Sequence, residues 1–379
     1  MKFIIDFIKS RIVFFISLLC AVISMFFVPP SKAYIQYIDW NTLFILFSLM
    51  ICVSGFENSG IFDKFCKIIC SHITNLRLLS VVLIVFCFFS SMIITNDVAL
   101  ITFVPFTLLV LSNQNEVKLW HIIYIIVLET IAANTGSMLT PIGNPQNLFI
   151  FNKYNMNVYQ FINILFPYSF ASFCLLYIFS FIIPKITLNK NLLGNNNFDD
   201  EKMKFDNSLF FKRCFYFFLF LCCLFSVIKN LTKWPIALFV CIGSFIFDRK
   251  VILKVDYYLL FTFVFFFIFT GNLGEIHIIR EFLESSVKSK EFFVGFGVSQ
   301  IISNVPATLI LYQFVDDIKN LLIGVNVGGL GTIVASLASL ISFNIYNSQK
   351  SNGCLFLIFF TVLNVIFLLV LILLYTILN

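Results

Sequence analysis

Charge is what this chain has least of. Asp, Glu, Lys and Arg make up 12% of its 379 residues, against roughly a quarter in a soluble domain of this size. A water-exposed globular fold is excluded on that ground, since 60% of the residues are hydrophobic and the mean hydropathy is +0.98. Histidine is scarce at three residues. No Ser-His-Asp set, metal-ligand cluster or phosphate-cradling loop falls at a workable spacing, so the chain does not read as an enzyme. Eleven cysteines include no CxxC pair. Cys66 and Cys70, beside Lys64, Lys67 and His72, have the look of a metal or arsenic site. The plainer reading is small apolar side chains in a reducing or lipid setting. The net charge of +6 does not call for nucleic acid, because the basic residues lie in short loops between apolar runs.

Those runs approach the roughly 20 apolar residues that cross a bilayer. They cover Ile12–Val28, Thr42–Gly55, Trp120–Ala133, Tyr159–Ile183, Leu209–Val227, Trp234–Phe247, Tyr257–Thr270, Leu321–Phe343 and Leu355–Leu378. The expected fold is therefore an all-α polytopic membrane protein. Residues 1–38 read as a retained N-terminal helix rather than a cleaved signal, because the apolar run is too long and more spans follow. The clearly hydrophilic stretch is Lys185–Ser208, which reads as a cytoplasmic linker (185–208) between a first repeat (39–184) and a second (209–379). Counting Lys and Arg by the positive-inside rule, with 77–112 and 292–315 taken as re-entrant hairpins, places the N-terminus inside and the C-terminus outside the cytoplasmic membrane.

The apolar background is interrupted by one polar pattern written twice. Asn134, Gly136 and Thr140 recur as Asn326, Gly328 and Thr332 at one constant offset. Around them Met138 matches Leu330, Ile142 matches Val334, Gly143 matches Ala335 and Asn144 matches Ser336. Upstream of each copy lies a second element, Thr95-Asn96-Asp97 before Val104-Pro105, and Ser303-Asn304-Val305-Pro306. Further upstream, Asp39-Trp40, Ser54-Gly55 and Phe62-Asp63-Lys64 resemble Asp256-Tyr257, Thr270-Gly271 and Ile279-Arg280-Glu281. Five crossings separate the span at Thr42 from that at Tyr257, so the copies enter from opposite faces. Polar helix breakers recurring once per half point to the site of a secondary transporter built from inverted repeats.

Non-helical backbone at membrane depth survives only where it is buried or lines a cavity. Gly136, Pro141, Gly143 and Pro145 are expected to break the span starting near Trp120. The second copy, with Gly328, Gly329 and Gly331 and no proline, should unwind more loosely. A broken helix offers carbonyls that suit a cation and amides that suit an anion. The hairpin tips add hydroxyl and amide oxygens, which suit hard monovalent cations. Thr95, Asn96, Asn134, Thr140, Asn144, Ser303, Asn304 and Thr332 are the candidate substrate contacts. Asp97, Glu129, Gly136, Ser137, Gly143, Gly328, Gly329 and Gly331 are the candidate cation-coupling positions, with Na⁺ placed at Asn96 and Asn304. The bland alternative is that these motifs cap helices or pack them closely. An intramembrane carboxylate is costly. Asp97, opposite the neutral Val305, either neutralises Na⁺, carries a proton or pairs with a base. Glu129 is either a proton relay or a packing hydrogen bond. Glu57, Glu275, His121 and His277 fall near span ends. No permanent positive charge lies in the site segments, so an anion there needs helix N-termini, hydroxyls, amides or co-bound cations.

At these motifs the chain resembles the ion transporter superfamily. That group includes divalent anion–sodium symporters, citrate-transporter-like permeases, arsenite efflux permeases and a class of sodium/proton antiporters. The resemblance rests on Thr95–Pro105, on Ala133–Asn147, on Ser303–Ala307 and on Asn326–Thr332, in that order. It implies two inverted repeats, each with a re-entrant hairpin and a broken helix. It also implies a homodimer whose transport part moves as an elevator against a scaffold, with Na⁺ or H⁺ as coupling ion and a small anion and membrane lipid as partners. Dicarboxylate symporters carry Ser-Asn-Thr at both tips. The Thr-Asn-Asp and Ser-Asn-Val tips here tilt towards the citrate-like, arsenite or cation-exchange branches. The expectation is a secondary transporter of a carboxylate or oxyanion. The alternatives are a Na⁺/H⁺ antiporter, an arsenite efflux permease and, more remotely, a channel or a non-transporting scaffold.

Overall fold

The computed structural model describes residues 12–60, 73–112, 114–189, 207–229, 231–350 and 352–379. The Cys66/Cys70 pair, the Phe62-Asp63-Lys64 match and most of the expected linker lie outside the described residues. Among the described residues the chain is all-α, and no strand forms beyond an isolated bridge between Asn75 and Thr187. The helices are α1 (Ile12–Phe27), α2 (Ala33–Tyr37), α3 (Trp40–Asn58), α4 (Leu76–Ile94), α5 (Asn96–Leu111), α6 (Leu119–Ser137), α7 (Pro145–Lys153), α8 (Val158–Ser180) and α9 (Asn207–Ile228). They continue as α10 (Trp234–Phe247), α11 (Arg249–Leu253), α12 (Tyr257–Glu275), α13 (His277–Val287), α14 (Glu291–Ile302), α15 (Asn304–Leu311), α16 (Ile318–Val327), α17 (Leu337–Gln349) and α18 (Gly353–Leu378). Seven of these are long and apolar enough to cross a membrane: α3, α4, α6, α8, α9, α12 and α18.

Local chemistry sets the helix starts. Asp39 caps α3, accepting from the Thr42 amide and hydroxyl at 3.2 and 2.8 Å. Asp256 caps α12 in the same way through the Leu259 amide at 3.2 Å. A carboxylate at this position satisfies donors that have no partner within the helix.

Contacts at the helix ends fix the direction of each element. The α4–α5 hairpin begins and ends against one strip of chain after α8. Leu76 and Arg77 donate to the Ile186 and Ile183 carbonyls at 2.9 and 2.6 Å, and Gln114 pairs with the Asn189 backbone at 2.9 and 3.3 Å. The α14–α15 hairpin returns to its own side too, with Lys288 Nζ 3.6 Å from the Asp316 carboxylate. Tyr154, just past α7, donates to the Tyr312 carbonyl at 2.7 Å, so this second pair of feet lies where α8 begins. Helix α8 has 23 residues, about 34 Å at 1.5 Å per residue. The two hairpins therefore enter the bundle from opposite ends. Helices α3 and α12 also run oppositely. Thr42 at the start of α3 accepts from Asn152 near the second pair of feet, and Thr270 late in α12 donates to the Leu309 carbonyl of the second hairpin at 2.8 Å.

Helix α6 continues through Gly136 to Ser137 and the break falls at 138–144, with the second break at 328–336. The second is the longer, as the richer glycine content suggested. Gly136 is thus not a breaker. Its missing Cβ matters for packing, because one there would overlap the Phe88 carbonyl of α4 and sit 2.6 Å from Ser91 Oγ. Gly328 plays the matching part, with Ser299 and Phe296 of α14 at 2.9 and 3.0 Å from such a Cβ.

Candidate functional site

The tips of both hairpins meet the breaks in matching geometry. Thr95 has φ 74° and ψ 153°, and Ser303 has φ 78° and ψ 152°. This region is nearly closed to residues with a Cβ, and least open to a β-branched one. The residue after each tip then donates its backbone N–H into the neighbouring loop, Asn96 to the Gly143 carbonyl at 3.3 Å and Asn304 to the Ala335 carbonyl at 2.9 Å. Gly143 and Ala335 are a matched pair of the sequence repeat. Each loop threonine also anchors to the first arm of its hairpin, Thr140 to the Met92 carbonyl at 2.5 Å and Thr332 to the Gln300 carbonyl at 2.8 Å.

Thr95 and Ser303 make no side-chain capping bond, so the tip hydroxyls do not serve as the helix caps that the plainer alternative would make of them. The backbone holds the tips instead. The Thr95→Gly and Ser303→Gly variants should therefore relieve about 1–3 kcal/mol of strain, offset in part by the greater unfolded-state freedom of glycine. Their melting temperatures are expected to match or exceed the parent's while transport falls. Melts lowered as far as those of Thr95→Val would show that side chains set the tip conformation.

Asparagines then lock the two halves together. Asn134 Oδ1 accepts from Asn96 Nδ2 at 3.2 Å and from Ser336 Oγ at 3.0 Å, while its Nδ2 donates to Ser339 Oγ at 3.1 Å. Asn326 Nδ2 donates to Asn147 Oδ1 at 2.7 Å and to the Leu322 carbonyl at 2.9 Å. Asn134 matches Asn326 and Asn147 matches Ser339 in the repeat, so each broken helix donates to the helix after the other's break. All four are buried. Asn144 Nδ2 donates to Ser137 Oγ at 2.7 Å, and Ser137 in turn donates to the Asn134 carbonyl at 3.0 Å.

The side chains of Asn134, Thr140, Ser137 and Thr332 are thus engaged within the protein. Donor capacity remains at Thr95, at the second N–H of Asn96 and of Asn144 and at Asn304 Nδ2, and acceptor capacity at Asn96 Oδ1, Asn144 Oδ1 and Asp97. No donor among the described residues reaches the half-buried Asp97 carboxylate. Glu129 is not at the tips. It is fully buried between α4, α5 and α6, roughly 16 Å along α5 from Asn96. There Oε1 accepts from Thr107 at 2.6 Å, and Oε2 has no partner among the described residues. Gln146, in the first turn of α7, is fully buried, and neither amide atom has a partner among the described residues.

Sequence reasoning missed Gln300, Ser336 and Ser339 as members of this network. Gln300 Nε2 donates to the Gly328 and Leu330 carbonyls at 2.7 and 2.8 Å, and its Oε1 accepts from the Thr332 amide at 2.9 Å. The available signal was a glutamine beside Ser299 in a largely apolar hairpin arm, three positions before Ser303. Among the described residues no group of three His, Cys, Asp or Glu side chains is placed to hold a metal.

Two hairpins from opposite ends, each docked on a broken helix inside a bundle of apolar spans, are the architecture of a multi-pass membrane transporter. The chain belongs to the citrate transporter family, which it matches over residues 1–322. It is 31% identical over 347 residues to an uncharacterized transporter of Methanocaldococcus jannaschii, covering 91% of each chain. It is 30% identical over 335 residues to the inner membrane protein YbiR of Escherichia coli, covering 86% of this chain and 85% of that one. A stretch of 163 residues is 29% identical to the putative transporter arsB of Dictyostelium discoideum, covering 42% of this chain and 28% of that protein. The family and these relatives are described as transporters or membrane proteins, not as enzymes.

Proposed function

We propose that this chain is a secondary active transporter that moves a small anion, a carboxylate or an oxyanion, across the cytoplasmic membrane, coupled to Na⁺ or H⁺. The observation that carries the reading is the convergence of helix N-termini. Helices α5, α7, α15 and α17 all begin at the two tip–loop junctions, which the Asn134 and Asn326 bonds hold together. Each N-terminus is the positive end of a helix dipole and has first-turn amides with no partner inside the helix, beyond the Asn96 and Asn304 amides that Gly143 and Ala335 already take, so an anion is held without a cationic side chain. Thr95, Asn96, Asn144, Ser303 and Asn304 are the contacts we assign to substrate. Asn134, Ser137, Thr140 and Thr332 position them.

The matched bonds in the two halves, entering from opposite ends, support an inverted repeat of 39–184 and 209–379 with alternating access at one site. We read the moving part as an elevator within a homodimer, with the N-terminus inside and the C-terminus outside. A second reading is a Na⁺/H⁺ antiporter, favoured by the unpartnered Asp97 carboxylate and by the buried, half-satisfied Glu129.

Uptake into liposomes by purified protein decides between them, with citrate, succinate, malate, sulfate and arsenite each offered under a Na⁺ gradient, a pH gradient or neither. Gradient-driven uptake of one of these is expected. Asn96→Ala and Asn304→Ala should each lower it by roughly tenfold or more, as loss of a hydrogen bond to a charged ligand does. Exchange of Na⁺ for H⁺ with no anion moved, abolished by Asp97→Asn, would replace this reading with the antiporter.

A further inference from the structure

Resting on the anion-transporter reading, the identity of the coupling ion follows from how the two loops satisfy their carbonyls. Backbone oxygens that face one another repel, so a break with several of them needs a cation or N–H donors between them. In the first loop, the carbonyls of Ser137, Met138 and Thr140 converge on a single nitrogen, Asn147 Nδ2, at 3.3, 3.2 and 3.3 Å. In the second, the carbonyls of Gly328 and Leu330 converge on Gln300 Nε2 at 2.7 and 2.8 Å.

Neither amide can be turned round. Asn147 Oδ1 must accept from Asn326, whose amide nitrogen also donates to a helix carbonyl. Gln300 Oε1 must accept from the Thr332 backbone N–H. The nitrogen therefore faces the carbonyls in both cases. Gly331, at φ 109°, lets its loop close over the Gln300 side chain, which a Cβ at this position would overlap. The carbonyls at the hairpin–loop junctions are taken as well, Gly143 by the Asn96 amide and Ala335 by the Asn304 amide. These five break carbonyls and the two junction carbonyls are thus bonded to N–H donors rather than left to converge on Na⁺.

We propose that the side-chain amides of Asn147 and Gln300 stand where coupling cations would sit in the two broken-helix loops, so that this transporter works without Na⁺. The two residues come from different places, Asn147 from the helix after its own break and Gln300 from the first arm of the second hairpin. The two halves thus reach the same electrostatic result by separate substitutions.

The exchange of one atom tests this. Asn147→Asp keeps the oxygen that accepts from Asn326 but turns an acceptor towards the Ser137, Met138 and Thr140 carbonyls. Gln300→Glu does the same to Gly328 and Leu330. Each variant places an anion among carbonyl oxygens and should acquire a need for a cation. The full-length parent and both variants are melted in choline chloride and in increasing NaCl at constant ionic strength. The parent should melt alike in both salts. Each variant should melt lower in choline and recover saturably with Na⁺, by about 2 °C or more. A saturable Na⁺ shift in the parent, or variants indifferent to Na⁺, overturns the proposal. In liposomes, parent uptake under a pH gradient should be equal within about twofold with and without Na⁺. If instead uptake of an anion occurs and collapses when Na⁺ is withdrawn, the anion-transporter reading stands and this inference falls. If no anion moves, the melts still decide it.

Discussion

Replacing Gly136 by alanine is expected to be among the most damaging single changes in this protein. The added methyl would overlap the backbone carbonyl of Phe88 and crowd Ser91, and neither a carbonyl in a helix nor a buried serine can step aside. Helix α4 would have to move bodily away from α6, carrying Thr95 and Asn96 off the loop that ends at Gly143. Overpacking of this kind costs about 3 kcal/mol or more where the obstacle is backbone. The variant should therefore show a sharply lower melting temperature, or run as aggregate on size exclusion. Gly297→Ala is the matched control. It lies in the first arm of the second hairpin, and nothing falls within 4 Å of its added methyl. It should stabilise by about 0.5–1 kcal/mol, because glycine within a helix costs that much relative to alanine. Equal melts for the two variants would mean that the approach of α4 to α6 is not set by Gly136.

Asn134→Ala is expected to cost about 3 kcal/mol, since it leaves the Asn96 amide and the Ser336 and Ser339 hydroxyls buried without their partner. The effect should pass from one half of the protein to the other. A double-mutant cycle between Asn134→Ala and Ser339→Ala should give a coupling of about 1 kcal/mol or more, and so should one between Asn326→Ala and Asn147→Ala. Asn134→Ala with Asn147→Ala, which share no direct bond, should be closer to additive. Melts of the single and double variants measure all three. Additivity throughout would show that the two breaks are packed side by side without the exchange of hydrogen bonds. Asn134→Asp keeps the acceptor for Asn96 and Ser336 and loses the donor to Ser339, so its effect should fall between those of the parent and the alanine variant.

The polar motifs were legible because their residues are unusual where they occur. Asn, Gly and Thr stand out in apolar spans, and Pro141 and Pro145 mark the first break within a few residues. Both helix breaks fall within those motifs, although the first begins only after Ser137, past Gly136. Gly136 was misread as a breaker because a glycine in sequence looks the same whether it frees a backbone or admits a neighbour. Only the position of Phe88 and Ser91 distinguishes the two. The roles of Asn134 and Thr140 were hidden for a different reason. A side chain available to substrate and one spent on Ser336, Ser339 or Met92 have the same sequence signature, and two of those partners come from the other half of the chain. Gln300 carried a weaker trace still, being one amide in a hairpin arm whose counterpart in the first half is Met92. Glu129 was recognised as an intramembrane carboxylate, but its distance from the tips follows from its contacts with Thr107 and Cys87 and could not be read from spacing to Asn134 alone.

The hairpins are fastened to their loops unequally. The first loop carries its own donor, because Asn147 belongs to the helix that follows it, so swinging α4 and α5 aside leaves the Ser137, Met138 and Thr140 oxygens satisfied. The second loop borrows its donor from α14. Peeling that hairpin back would strand the Gly328 and Leu330 oxygens, at about 1–3 kcal/mol for each buried group left bare. Lifting the first hairpin would still break the Asn96–Gly143, Asn96–Asn134 and Thr140–Met92 bonds, but its loop would keep the Asn147 donor, whereas the second loop would lose Gln300 along with its hairpin.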